Sequence, residues 1–220
     1  MEKKEEKEIK EEKEKKEEKE KEEDEDNEYL KEKKEELKEA VLNLRTQGKE
    51  DSKLEKMIKL MNMLSLSSTI KILKDDKTPV EIIPNLYLGS IGSASNLKEL
   101  KKCNITHIIC CAKGIKNFFP NDFKYLNLEL IDSEKAEIKK YFEQTNKYIE
   151  DAINNNGKVL VHCHAGISRS SSVIIAYIMK SKKMSLEKVL ELIKTKRDKV
   201  KPNDGFINQL KEYEKELGIQ

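Results

Sequence analysis

The chain has 220 residues, 44 of them Lys or Arg and 42 Asp or Glu, so charged residues exceed apolar ones, 39% against 36%. The charge is divided: residues 1–40 hold 13 basic and 20 acidic side chains, residues 41–220 hold 31 and 22, an acidic end on a basic body. No apolar run nears the ~20 residues of a membrane span, MEKKEEKEIK has no apolar h-region, and the four cysteines lack metal-site or disulfide-scaffold spacing.

A reducing setting, cytoplasmic or nuclear, is therefore expected. Neither membrane insertion nor a nucleic-acid partner is expected. Residues 1–28 are nearly all Glu and Lys, with Ile9 the only large aliphatic side chain after Met1. Many of these charges fall three or four apart, so the stretch reads as a solvated helix or as disorder. Over residues 29–77, Leu30, Leu37, Val41 and Leu44, then Leu54, Ile58, Met61 and Leu64, recur with helical period. Gly48 separates the two runs, which are expected to pack on the body or on a partner.

Residues 78–220 are enough for one ordinary domain. Val80 to Leu88 reads as two short strands around Pro84-Asn85, and Ser93 to Lys102 as a short helix. Strands are predicted at Thr106–Ala112 and Tyr125–Leu130, and an amphipathic helix at Ile138–Ile153. Asn154-Asn155-Asn156-Gly157 stops that helix. Lys158–His162 is an apolar strand, followed by helices at Ser170–Met179, Ser185–Lys196 and about Asp204–Leu217. Strands alternating with helices predict an α/β fold, a central mainly parallel sheet flanked by helices.

The chemistry concentrates at His162-Cys163-His164-Ala165-Gly166-Ile167-Ser168-Arg169-Ser170, where a strand ends in a cysteine and a helix starts near the arginine. Such a loop turns successive backbone N–H groups inward as an anion nest, and the helix N-terminus adds positive potential. The same field favours thiolate over thiol, so Cys163 is the candidate nucleophile. Arg169 is one of only three arginines (Arg45, Arg169, Arg197) beside 41 lysines. Its planar fork can grip two phosphate oxygens together, which lysine cannot do.

At these residues the chain resembles the cysteine-dependent protein tyrosine phosphatases. His162-Cys163, five residues, then Arg169-Ser170 matches their signature, and Ala165 to Ser170 is similar to the small atypical dual-specificity branch. The likeness covers roughly residues 80–217. It includes Ile83-Pro84-Asn85-Leu86-Tyr87-Leu88-Gly89-Ser90 and Lys201-Pro202-Asn203-Asp204-Gly205-Phe206.

The resemblance implies that Cys163 attacks phosphorus while the N–H groups of His164 to Arg169 and the Arg169 guanidinium hold the phosphoryl oxygens. It also implies no metal or other cofactor. The family's general acid is carried over to Asp132, nine residues before Tyr141 and flanked by Glu129 and Glu134. Ser170 is expected to steady the departing thiolate, and His162 to orient the loop. Asn203 braces the loop or caps a helix; His164 lines the pocket mouth or is simply exposed.

Cys110 and Cys111 depart from the family pattern. They are two core cysteines, or Cys111 forms a reversible disulfide with Cys163. Phosphoprotein substrates carrying phosphotyrosine and phosphoserine or phosphothreonine are expected. His164 and Ile167 stand where phosphoinositide-specific relatives often carry lysine, which argues against a lipid. The rival is an interaction protein that binds phosphopeptides with little turnover and engages a protein partner through residues 1–77.

Overall fold

The computed structural model describes residues 65–219. The stretch 1–28 and the extension up to residue 64 lie outside the described residues. Residues 65–75 are helical. The chain divides after Leu73, and Lys74–Gln220 forms one unit, which reaches back past Thr78 to include Asp76.

That unit opens with β1 (Val80–Ile83) and β2 (Leu86–Gly89), an antiparallel pair turned at Pro84-Asn85. Asn85 takes the left-handed conformation at φ 68°, which asparagine tolerates better than bulkier side chains. Its N–H donates to Glu81 Oε1 at 3.0 Å. Next come α1 (Ile91–Ala94), α2 (Leu97–Lys102), β3 (His107–Cys110) and β4 (Lys124–Asn127). A 3₁₀ turn at Lys139–Tyr141 leads into α3 (Phe142–Asn154), then β5 (Val159–His162). Helices α4 (Arg169–Lys182), α5 (Leu186–Lys196) and α6 (Asp204–Glu216) complete the fold.

The sheet order is β1-β2-β5-β3-β4, and every pair but the first is parallel. The expected architecture is therefore present, a mostly parallel sheet flanked by helices. Strand alternation divides the core. Leu86, Leu88, Ile109, Val159 and Val161 face a cluster with Phe142, Ile149, Ile174, Val189, Phe206 and Leu210 from α3 to α6. Tyr87, Ile108 and Leu160 face the opposite side with Ala94, Leu100, Phe119 and Phe123. A sheet covered on both faces needs apolar residues at consecutive positions, which is why β5 reads as an unbroken apolar run.

Three helices differ from their expected form. The helix expected at Ser93–Lys102 is two helices. Ser90 caps α1 in a capping box with Ser93, and Asn96 caps α2 by accepting from Glu99 N–H at 3.1 Å. Two successive caps stop one continuous helix from forming. The helix expected from Ile138 begins as the 3₁₀ turn, and α4 extends from Arg169 to Lys182. Among the described residues no helix is long and apolar enough to cross a membrane.

Candidate active site

Central strand β5 ends at His162, so the next residues emerge at the carboxyl edge of the parallel strands, where α/β sheets bind ligands. Cys163 stands there, 1% exposed, and the 163–169 loop curls around it into α4. Gly166 N–H donates to Cys163 Sγ at 3.2 Å, and Ser170 Oγ donates to it at the same 3.2 Å. Both bonds bring a donor to the sulfur. Gly166 has φ 66°, and an added Cβ would lie 2.5 Å from Gly89 O. Only glycine fits both the conformation and the space.

The loop carbonyls turn outward. Ile91 N–H donates to His164 O at 3.0 Å, and Lys201 N–H donates to Ile167 O at 3.0 Å. A planar peptide group points its N–H opposite its carbonyl, so these bonds direct the following N–H groups toward the sulfur side. The result is a nest of donors over a buried thiol.

Arg169 and Asp132 close the other side. Arg169 Nη1 donates to Leu130 O at 3.3 Å, and Arg169 Nε lies 3.4 Å from Asp132 Oδ2 as an ion pair. The buried Nε–H is not aligned for a hydrogen bond, which leaves a donor suited to an incoming oxyanion. Asp132 Oδ1 accepts from Ser168 Oγ at 2.8 Å and from Asn203 Nδ2 at 2.9 Å. The carboxylate these groups meet is therefore that of Asp132.

Asn203 makes a contact through each end of its side-chain amide. Its Oδ1 accepts from Phe206 N–H at 2.9 Å and caps α6, while its Nδ2 holds Asp132. Its backbone N–H also donates to Ser168 Oγ at 3.2 Å. The start of α6 presses on the acidic segment, since a Cβ at Gly205 would overlap the Glu134 backbone.

The histidines differ. His162 is 2% exposed, and burial pushes its pKa down to about 4, so it is neutral beside Cys163. Its Nδ1 lies 3.4 Å from Cys163 O, a packing position rather than a proton relay. His164 is half-buried, and burial, then the Arg169 charge, lowers its pKa.

All four cysteines are free thiols. Cys110 pairs with His162 across β3 and β5, and Cys111 N–H donates to His162 O at 2.7 Å. Burial raises both the Cys110 and Cys111 pKa values, Cys110 to about 11. The residue the sequence reading passed over is Arg197, which lies against the loop's outer carbonyls. Its rarity in a lysine-rich chain was the available signal.

Comparison with known proteins agrees with this geometry. A family model described as "Dual specificity phosphatase, catalytic domain" matches residues 86–216. A protein phosphatase Slingshot homolog from Xenopus laevis is 44% identical over 149 residues, 68% of this chain and 22% of that relative. Dual specificity protein phosphatase 1B of Arabidopsis thaliana is 37% identical over 164 residues, 74% of this chain and 98% of that protein. The chain thus spans about a fifth of the Slingshot relative and nearly the whole plant protein. Among solved structures, a human tyrosine phosphatase-like serine/threonine/tyrosine-interacting protein matches with TM-score 0.62 and 40% identity. The match covers 63% of this chain and 97% of that one.

Proposed function

Because this chain belongs to the dual-specificity phosphatase family, we propose that it is a protein phosphatase working through a cysteinyl-phosphate intermediate. The observation carrying the proposal is Cys163 Sγ, which accepts from Gly166 N–H and Ser170 Oγ beneath the inward-facing loop. The Cys163 thiolate attacks phosphorus in line, forming the S–P bond as the P–O bond to the leaving group breaks. Loop N–H groups from His164 to Arg169 and the Arg169 guanidinium hold the three equatorial oxygens. Asp132 gives its proton to the leaving oxygen, then takes one from the water that splits the S–P bond. Ser170 steadies the thiolate as it departs.

Asp132 now bonds Ser168 and Asn203 and pairs with Arg169, so substrate phosphate must draw Arg169 away from it. Phosphotyrosine and phosphoserine or phosphothreonine in proteins are the proposed substrates. His164 and Ile167 provide no lysine in the loop for an inositol phosphate. A cytoplasmic or nuclear setting suits four free thiols.

The second reading, a phosphopeptide-binding protein with a partner on residues 1–77, draws on the likeness to a protein called tyrosine phosphatase-like and interacting. Hydrolysis of an aryl phosphate by wild type and by Cys163→Ser separates the two. Turnover that vanishes in Cys163→Ser supports the enzyme. Equal rates in both, with phosphopeptide binding intact, support the binding protein.

A further inference from the structure

Arg197 is 6% exposed, and its guanidinium lies on the outer side of the loop. Nε donates to Gly166 O at 3.1 Å, and Nη2 donates to Ala165 O at 3.2 Å. These are the two loop carbonyls between those held by Ile91 and Lys201. The Ala165 carbonyl belongs to the same planar peptide group as the Gly166 N–H, which reaches Cys163 Sγ at 3.2 Å. The Gly166 carbonyl likewise sets the Ile167 N–H. A guanidinium outside the loop thus fixes the direction of two donors inside it.

Arg197 is itself fixed by Asp76. Nη1 donates to Asp76 Oδ1 at 3.1 Å and Nη2 to Asp76 Oδ2 at 2.6 Å, a two-point pair. Lys199 Nζ adds a contact to Oδ2 at 2.7 Å. Ser90 Oγ donates to Asp76 O at 3.1 Å, and the neighbouring Ile91 N–H holds His164 O. Burial opposes ionisation of Asp76, but the bonds from Arg197 and Lys199 outweigh it and hold the carboxyl below its usual range. Asp76 lies outside the 86–216 family match.

We propose that Arg197 and Asp76 are positioning residues: Asp76 aims the guanidinium, and the guanidinium turns the Gly166 and Ile167 N–H groups toward the bound phosphoryl oxygens. The inference rests on reading the 163–169 loop as the phosphate site. It makes the segment before β1 part of the apparatus that shapes that loop. Arg197→Lys keeps the charge but loses the planar two-sided grip. Asp76→Asn keeps the shape but loses the charge that holds the grip.

The test uses the full chain, with orthovanadate binding by calorimetry read beside kcat and KM on an aryl phosphate. Removing the Asp76 charge alone makes the surroundings more positive, so simple Coulomb attraction would tighten anion binding. Positioning gives the opposite sign: Asp76→Asn weakens vanadate about tenfold and lowers kcat by about the same factor, with KM changed less. Arg197→Lys behaves alike, and the double variant is no worse than the poorer single, because the two act as one unit. Vanadate held as tightly by the folded Asp76→Asn protein as by wild type, or more tightly, overturns the proposal even if its melting midpoint falls. Should Arg197→Lys not fold, Asp76→Asn and Asp76→Glu decide the matter, Asp76→Glu being expected to recover part of the lost affinity. A wild type that binds vanadate without turnover sinks the catalytic reading and leaves the positioning result readable from binding alone.

Discussion

Two segments meet at the site, and they are held in opposite ways. The 163–169 loop is partly to fully buried, with Cys163 at 1% and Ser168 at 6% exposure, and main-chain and guanidinium donors clamp its carbonyls. The segment bearing Asp132 is open to solvent: Ile131 is 60% exposed, and the Asp132 side chain 35%. Side-chain contacts from Ser168, Asn203 and Arg169 hold its carboxylate. The contrast suits the proposed chemistry. Groups that receive developing charge work best when preorganised, whereas a proton donor must come off one partner to meet another.

Substitutions can break either side of this contrast. The largest effect is expected for Cys163→Ser, whose aryl phosphatase rate falls to background, read as turnover against time. Asp132→Asn comes next. It lowers kcat about 10²–10⁴-fold on phosphates with poor leaving groups, and much less on an activated nitrophenyl ester. Equal losses on both would show that Asp132 shapes the loop rather than donating a proton.

Asn203→Ser keeps a capping oxygen for α6 but drops the Nδ2 contact with Asp132. A loss of about tenfold in kcat is expected with vanadate affinity unchanged, whereas Asp76→Asn is expected to lower both.

Burial at the end of β5 carries a pH cost. His162 has its pKa lowered to about 4 from 6.5, so below 6.5 the unfolded chain binds more protons. Stability from its neutral form is complete above 6.5 and is lost as pH falls toward 4. The loss is of order 1–2 kcal/mol between about pH 6.5 and about pH 5, read as a shift in urea midpoint. The slope should flatten in His162→Asn.

The smallest effects concern redox chemistry and the tail. Peroxide converts the Cys163 thiolate to a sulfenic acid, and attack by the Cys111 thiol would give a disulfide and water. The β3–β5 register places Cys110 beside His162, so Cys111 is next along toward Cys163. Peptide mapping that finds only sulfinic Cys163 and no Cys111 pair ends that idea. Residues 1–77 carry 21 basic and 25 acidic side chains, residues 78–220 carry 23 and 17. An acidic tail competing for a basic catalytic surface would make KM more salt-dependent, and deleting residues 1–40 would reduce that dependence.

Much of the buried half was legible in the chain. Val159 to His162 is an unbroken apolar strand, Gly166 marks a tight loop, and the scarcity of arginine singles out Arg169. The second half was readable only through a likeness. Asp132 sits among Glu129, Glu134 and other acids with no local signal of its own, and its place is defined by partners 36 and 71 residues away.

Local order along the chain thus determined the strand, the loop and the helix that bring Cys163 and Arg169 together, because turn chemistry and apolar period act between near neighbours. Tertiary structure alone decided what surrounds them. Asn203 reaches Asp132 from the N-cap of α6, and Arg197 lies against the loop only because β1, β2 and α5 bring Asp76 and the 197–201 segment to its outer side. Hydrogen bonds between residues 121 positions apart, such as Arg197 with Asp76, leave no period or motif in the sequence. Their geometry exists only once the two-faced core has closed.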